Sequence, residues 1–212
     1  MSDRFAMPAG FRLLPGRLSR QQQEGLIDAV VAAQATAPFW RPSMPRTGQP
    51  LSVTMTNFGS LGWVTDKHGG YRYEPAHPQT GNPWPAMPAL LTDLWQELAD
   101  YPALPEACLV NWYTPESRMG LHVDWDEAAT DAAVVSISLG DKARFRLGGP
   151  KRGGKTASMV LSSGDVVVLG GEARHCHHGI DRIYPGTSTL LPAEHFPAGG
   201  RVNLTMRRVN LA

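Results

Sequence analysis

The clearest strand in this sequence is Arg201-Val202-Asn203-Leu204-Thr205-Met206-Arg207, close to the end of the 212-residue chain. Polar or charged side chains alternate with apolar ones, so one face of the strand carries both arginines and the other is apolar. Taken alone, the pattern is more typical of a half-exposed strand with solvated arginines. Because arginine recognises carboxylates in a bidentate manner, the pair is also spaced to hold a dicarboxylate. Arg208 falls out of phase, and we expect it to be structural.

Short apolar runs continue the β pattern through the second half of the chain. Beyond Ala107 they include residues 134–139 and 166–169, and glycines and prolines separate them. This spacing is typical of a β-sandwich or jelly roll. The 18 prolines and 22 glycines of the chain also favour short strands and turns over a helical bundle.

The first half of the chain predicts one strand and two helices. A short strand is expected at 11–14, and Ser19 with Gln22 three residues later forms a capping box that opens a helix through about Gln34. A second helix is expected from about Ala89 to Ala99. The leucines predicted to face inward from it are Leu90, Leu91, Leu94 and Leu98.

The intervening residues 50–85 predict paired strands and loops that carry exposed aromatic side chains. These aromatic residues are Phe58, Trp63, Tyr71, Tyr73 and Trp84.

A candidate metal site is centred on His122-Val123-Asp124. In a strand, side chains two residues apart point the same way, so this pair can reach one ion. A second, distant histidine would complete one face of an octahedral ferrous ion and leave three positions for a co-substrate and dioxygen. Three histidines are available for that role, His175, His177 and His178, and spacing alone does not choose among them.

Taken together, these motifs resemble the AlkB family of iron- and 2-oxoglutarate-dependent nucleic-acid dealkylases. The resemblance rests on His122-x-Asp124, on Gly170-Gly171-Glu172-Ala173-Arg174 leading to His178-Gly179-Ile180, and on the 201–207 ending. Leu61-Gly62-Trp63 and the stretch 83–88 are similar to the family's lid region. Stretches 108–113 and 135–140 are similar to its core strands. The resemblance is collinear from about residue 50 to about residue 208.

The resemblance implies a mainly β, α+β fold. Its core would be a double-stranded β-helix, or jelly roll, with two supporting N-terminal helices and a nucleotide-recognition lid. A length of 212 residues suits one domain. Within it we expect an N-terminal strand and helix at 1–50, the lid at 51–88 and the dioxygenase core at 89–212.

The resemblance also implies the residues of the catalytic centre. The family's second histidine ligand stands immediately before Gly-Ile, which selects His178. Fe(II) would then be held by His122, Asp124 and His178. The residues implied for 2-oxoglutarate are Asn111, Tyr113, Arg201, Asn203 and Arg207.

Four further residues are implied for the substrate. Trp63 would stack on the target base opposite the ring of His122, and Tyr71 would contact phosphate from the lid. The carboxylate of Asp126 would accept a hydrogen bond from the exocyclic amine of adenine or cytosine. If Asp126 lies in a strand, its side chain would face the metal, and if the chain turns there, it would reach the pocket rim. Arg152 would contact phosphate, as part of a basic run that could equally be a solvated hairpin face. That run consists of Lys142, Arg144, Arg146, Lys151, Arg152 and Lys155.

The implied activity is oxidative demethylation of bases such as 1-methyladenine and 3-methylcytosine in single- or double-stranded DNA, and the sequence leaves open whether RNA is also a substrate. It would use Fe(II), 2-oxoglutarate and O2, release formaldehyde, succinate and CO2, and constitute direct-reversal repair.

One alternative is a hydroxylase of small molecules or proteins on the same fold. Such enzymes commonly carry a single arginine about ten residues after the second histidine, where this chain has Ser188. A non-catalytic cupin or binding module is the other alternative, and it would not require both arginines.

Composition sets weaker bounds. A net charge of +1 neither requires nor excludes a nucleic-acid partner. Two cysteines, Cys108 and Cys176, do not make a disulfide framework and fit a reducing compartment. No signal peptide or apolar span is recognisable, so a cytoplasmic monomer without a membrane partner is expected.

Two features depart from the family pattern: Val123 and Trp125 replace polar or basic residues, and residues 182–200 contain an extra loop.

Overall fold

A computed structural model describes residues 5–212, which form twelve strands, two α-helices and one 3₁₀ helix. The helices are α1 (Arg20–Ala33), α2 (Ala89–Leu98) and the 3₁₀ helix Gly171–His175. The strands are β1 (Phe11–Leu14), β2 (Thr54–Gly59), β3 (Gly62–Asp66), β4 (Gly70–Glu74), β5 (Ala107–Tyr113), β6 (Met119–His122), β7 (Val134–Gly140), β8 (Lys142–Leu147), β9 (Ala157–Leu161), β10 (Val166–Leu169), β11 (His178–Tyr184) and β12 (Arg201–Arg207).

Two antiparallel sheets build the jelly-roll core. The larger has the order β1-β10-β7-β12-β5-β2, and the smaller has the order β6-β11-β8-β9. Apolar side chains from both sheets, such as Val167 and Leu147, meet in one buried cluster. Helices α1 and α2 pack with the six-stranded sheet in a second cluster. The sequence-based prediction of a mainly β fold with two helices is therefore confirmed.

Both helices form where the sequence predicts them. The Ser19 side chain accepts from the backbone N–H of Gln22, and the Gln22 side chain accepts from the N–H of Ser19, which completes the capping box. In α2 all four predicted leucines pack in or against the core, and the prediction missed a fifth residue. Leu90 is only half-buried, whereas Trp95, which the leucine pattern overlooked, is fully buried.

Strand β12 runs through the middle of the larger sheet, between β7 and β5. Its alternation is correctly predicted, but all seven of its residues are buried. The reading of a half-exposed strand with solvated arginines is therefore wrong. Because both faces of a central jelly-roll strand are covered, the polar face of β12 points into the interior of the protein.

The segment 51–88, predicted as the lid, is divided in the structure. Strand β2 joins the core sheet by pairing with β5, whereas β3 and β4 form a separate two-stranded sheet. Because of this division, the prediction of exposed aromatic residues is wrong for Phe58 and Trp84, which are buried. Trp63 and Tyr73 are half-buried, and Tyr71 is exposed.

The extra loop predicted within 182–200 begins after β11 and occupies residues 185–200. Its Phe196 is buried against the ring of Trp112. The carboxylate of Asp141 accepts hydrogen bonds from backbone N–H groups of the loop, including those of Thr187 and Ser188. The loop is thus anchored to the end of the larger sheet.

Candidate active site

Three side chains, two from neighbouring strands and one from the loop after β6, converge at one edge of the smaller sheet. His122 ends β6, His178 begins β11, and the two residues are paired across the strands. One ligand atom from each of His122, Asp124 and His178 lies within 4.8 Å of the others. Gly179 permits this approach, since a Cβ there would lie 2.5 Å from the carbonyl oxygen of Met119. The prediction that His122 and Asp124 project from one strand is wrong, because β6 ends at His122 and Asp124 reaches the site from a loop.

Both histidines are oriented as metal ligands usually are. Nδ1 of His122 lies 2.9 Å from the carbonyl oxygen of Gly120, and Nδ1 of His178 lies 3.1 Å from that of Cys176. A carbonyl can only accept, so each Nδ1 carries the proton and each Nε2 presents a lone pair. Each Nε2 is 3.6 Å from a carboxylate oxygen of Asp124. Burial, together with His122, lowers the pKa of His178 to about 4, which keeps its imidazole neutral.

Asp124 is buried and remains ionised because Arg207 lies beside it. Burial alone would raise the pKa of Asp124, but Arg207, together with His178, His122 and Arg174, outweighs burial and holds that pKa well below its usual range. Arg207 Nη2 is 2.8 Å from Asp124 Oδ1. Among the described residues, no hydrogen bond of acceptable geometry reaches Asp124 Oδ2. A buried carboxylate with one oxygen that has no donor, and with an imidazole lone pair near each of its two oxygens, fits a bound cation.

The structure separates His178 from its two neighbours. The ring of His175 stacks on Trp125, with centroids 5.4 Å apart, and Nδ1 of His177 contacts the carbonyl of Gly149. Neither joins the cluster around Asp124 in the described part of the chain. Cys176, between them, is buried in the core.

The residues predicted for 2-oxoglutarate share one buried sheet face. Arg201 is directly opposite Tyr113, and Asn203 is directly opposite Asn111, across the β12–β5 pairing. Directly opposite residues point to the same face, so register alone gathers these four side chains. Arg207 lies further along the same strand and reaches Asp124.

Arg201 has unused hydrogen-bonding capacity. It is 1% exposed, and its Nη2 donates to Ser138 Oγ at 2.9 Å. Its Nε and Nη1 make no hydrogen bond of acceptable geometry with any residue from 5 to 212. Burial lowers the pKa of Arg201, yet an arginine stays protonated in proteins. A buried guanidinium with two nitrogens, Nε and Nη1, that lack a hydrogen-bond partner fits a carboxylate of a small anionic ligand.

The two asparagines of this face differ. Asn203 Nδ2 already donates to Ser136 Oγ at 2.8 Å and to the carbonyl of Ile137 at 2.9 Å. Its Oδ1 accepts from Thr205. Asn203 therefore braces the β12–β7 pairing in this structure, whereas Asn111 is buried on the β5 side of the same face.

Sequence reasoning missed the buried ion network behind Asp124. Glu127 accepts from Arg207 Nη1 at 2.8 Å, from Arg174 Nη2 at 2.9 Å and from the hydroxyl of Tyr73. Burial would raise the pKa of Glu127, but Arg207, the hydrogen bond from Tyr73 and Arg174 together lower it below its ordinary value. Glu127 follows Asp126, and in the sequence the two look like an exposed acidic pair; only the path of the loop after Asp124 buries the second.

Tyr73 lies on β4, so this network connects the small sheet to the catalytic centre. Arg174, which lies in the Gly170–Arg174 motif, also donates to the backbone carbonyl of Asp124 at 2.7 Å.

The predicted base-binding residues meet at the rim of the site. Trp63 Nε1 donates to Asp126 Oδ2 at 2.7 Å, and the Trp63 ring stacks on Tyr71 with centroids 5.6 Å apart. Asp126 is exposed and lies outside any strand, so of its two expected positions the structure adopts the rim. Asn57 on β2 fixes Trp63 by hydrogen bonds to both its backbone N–H and its carbonyl.

Arg152 lies beside the site on the exposed loop after β8. Its Nη2 donates to the carbonyl of Leu121, next to His122, at 3.2 Å. It helps to line a cavity of about 200 Å³ together with Lys151 and His177. Arg146 of the same basic run is paired with Asp181 at 2.7 Å.

Comparison with known proteins places this geometry in a family. Residues 10–207 match the model of the 2OG-Fe(II) oxygenase superfamily. An alpha-ketoglutarate-dependent dioxygenase AlkB homolog of Caulobacter vibrioides is 51% identical over 205 residues, covering 96% of this chain and 89% of its own. The solved structure of OsALKBH1 is 30% identical, with a TM-score of 0.77 and coverage of 97% of this chain and 99% of that one.

A DNA N(6)-methyladenine demethylase, ALKBH1D of Arabidopsis thaliana, is 39% identical over 49% of this chain and 24% of its own length. The chain belongs to the 2OG-Fe(II) oxygenase superfamily and, within it, to the AlkB family. Its cofactors are accordingly Fe(II), 2-oxoglutarate and O2. In the described residues, neither helix has the length and apolarity to cross a membrane.

Proposed function

We propose that this protein removes methyl groups oxidatively from alkylated bases of nucleic acids. The single observation that carries the proposal is the placement of a buried arginine with free donors, Arg201, on the sheet face that leads to the His122–Asp124–His178 cluster. Such a site holds a redox metal and a dicarboxylate together. Bound Fe(II) supplies the activation of dioxygen, coupled to oxidative decarboxylation of 2-oxoglutarate to succinate and CO2.

We assign one task to each group of the catalytic centre. His122, Asp124 and His178 hold the iron through two Nε2 atoms and a carboxylate. Arg201 binds one carboxylate of 2-oxoglutarate through Nε and Nη1. Tyr113 and Asn111 form the wall of the same pocket, and Asn203 keeps β12 in register beside them. Arg207 contributes charge to the metal-proximal end of 2-oxoglutarate while it orients Asp124.

The substrate is proposed to enter between the small sheet and the metal. A base inside a duplex is reached only after it is flipped out, and it is then held by stacking and by edge hydrogen bonds. Trp63 and the ring of His122 offer two aromatic faces. Asp126 Oδ2 is bound by the Trp63 indole, which fixes the carboxylate, and we assign its second oxygen to the exocyclic amine of adenine or cytosine. Tyr71 and Arg152 lie at the exposed edge, where phosphates pass.

Coupling between substrate and 2-oxoglutarate consumption tests this proposal. A single-stranded oligonucleotide containing 3-methylcytosine is expected to stimulate succinate formation strongly, and the same oligonucleotide without the methyl group to stimulate it far less. The Arabidopsis relative makes N(6)-methyladenine a further lesion to include. Equal succinate formation with both oligonucleotides would favour the alternative, a hydroxylase of small molecules or proteins.

A further inference from the structure

Trp125 is the exposed tryptophan of this protein. The side chains of Trp40, Trp84 and Trp95 are buried and those of Trp63 and Trp112 half-buried, whereas Trp125 is 60% exposed. Burial of an aromatic ring is strongly favourable, so leaving the largest side chain in water forgoes that stabilisation. The exposed ring belongs to a residue that lies directly between Asp124 and Asp126.

The ring is held in one orientation by a neighbour. It stacks on the imidazole of His175, with an interplanar angle of 26° and centroids 5.4 Å apart. His175 ends the 3₁₀ helix Gly171–His175, so its backbone is fixed by a regular element. One ring face therefore rests on the protein, and a partner of matching shape finds the other face already positioned.

Trp125, stacked on His175, forms an aromatic platform at the rim of the catalytic centre. Trp125 lies between Asp124, of the metal cluster, and Asp126, which is bonded to Trp63. Adjacent Cα atoms are about 3.8 Å apart, so the Trp125 backbone is that close to both residues. A nucleotide whose base sits between Trp63 and His122 would have its chain neighbour within reach of Trp125.

We infer that Trp125, backed by His175, stacks on the base adjacent to the target nucleotide and thereby favours single-stranded substrates. This inference rests on the proposed nucleic-acid substrate. Every base has a π-face, so an aromatic platform binds single strands with little regard to sequence. In a duplex, base pairing holds the adjacent base in the helical stack even when the target base is flipped out, whereas a base of an unpaired strand is free to turn and stack on the ring. Asp126 thus selects the target base, and Trp125 favours an unpaired strand over a duplex.

The test compares substrates that have a neighbouring base with one that has none. The substrates are a single-stranded oligonucleotide containing 3-methylcytosine, its duplex and the 3-methylcytosine mononucleotide. Trp125→Ala is expected to raise KM for the single strand about 10-fold, in line with loss of one stacked base, with kcat unchanged. The mononucleotide KM stays as in the wild type, and the preference for single strand over duplex shrinks. Trp125→Phe restores most of the affinity.

Val160→Ala is the matched control, since Val160 is also apolar and 48% exposed but lies on β9, and it should leave all three KM values unchanged. An unchanged single-strand KM in Trp125→Ala, or an equal loss on the mononucleotide, would overturn the inference. So would a change of oligomeric state in Trp125→Ala, which would assign the ring to contact with a second copy of the chain.

Failure of the proposed demethylase activity can be distinguished from failure of the inference about Trp125. If wild-type protein demethylates none of the three substrates, quenching of tryptophan fluorescence by an unmodified single strand still reports on the platform. Quenching that is lost in Trp125→Ala and kept in Val160→Ala supports the inference, and quenching that is the same in both variants contradicts it.

Discussion

Arg207 and Asp124 form a buried ion pair, with 2.8 Å between Nη2 and Oδ1, and the same guanidinium contacts Glu127 at 2.8 Å through Nη1. One arginine thus links a metal-site carboxylate to a buried acid that also bonds Tyr73 on the small sheet. Arg207 thus contributes to the ionised state of Asp124, to its orientation and, through Glu127, to the position of the small sheet.

Removing any member of the metal cluster should abolish turnover. A three-ligand site has no spare ligand, so His122→Ala, Asp124→Ala and His178→Ala each lose Fe(II) affinity and 2-oxoglutarate-dependent activity. His177→Ala is the matched control, because its ring contacts the Gly149 carbonyl outside the cluster. Metal content after Fe(II) loading and gel filtration measures the effect. Full activity in His178→Ala together with loss in His177→Ala would show that the second histidine is misassigned.

The two arginines of β12 should have separable effects. Arg201→Ala raises KM for 2-oxoglutarate, since loss of a charged partner at a buried contact costs about 2–5 kcal/mol. Fe(II) affinity in the absence of 2-oxoglutarate stays the same, because Arg201 makes no contact with the metal cluster in the described structure. Arg207→Ala lowers Fe(II) affinity as well, since Asp124 loses its ion-pair partner. An Arg201→Ala protein with the parental dependence on 2-oxoglutarate would exclude Arg201 from the pocket.

Glu127→Gln should destabilise the protein. It removes the negative charge that two buried arginines share, and breaking a buried ion network from one side costs about 3–5 kcal/mol. Urea unfolding of the metal-free protein gives the free energy of unfolding. Glu24→Gln serves as control, because its ion pair with Arg20 is exposed and contributes at most about 0.5 kcal/mol. Equal, small effects of the two substitutions would mean that the arginines do not need Glu127.

Asp126→Ala should change the choice of base more than the overall rate. A carboxylate accepts from the amino groups of adenine and cytosine, whereas guanine and thymine present a carbonyl oxygen at the equivalent edge. Activity should therefore fall mostly on methylated adenine and cytosine. Rates on four matched oligonucleotides give the comparison, and an equal loss on all four would remove Asp126 from base recognition.

Local patterns predicted the elements of this fold well. The Ser19–Gln22 box fixed the start of α1, and strict alternation identified β12 as a strand with its arginines on one face. What alternation could not show is whether a strand is central, because that depends on which neighbours pair with it. The burial of Arg201 and Arg207 follows from β5 and β7 on either side.

The catalytic centre was predictable only in part. The resemblance selected His178, and the structure brings that residue to His122 and Asp124. Glu127 went unrecognised because its burial arises from a turn and from two arginines distant in sequence, and no periodicity marks such contacts.

The most direct test of the oxygenase assignment is the stoichiometry of a single turnover. Protein loaded anaerobically with Fe(II) and 2-oxoglutarate is mixed with a 3-methylcytosine oligonucleotide and exposed to O2. We predict one formaldehyde, one succinate and one unmodified cytosine for each methyl group lost, and none of these products with Asp124→Ala. Succinate without formaldehyde, and with the methylated base intact, would contradict the account.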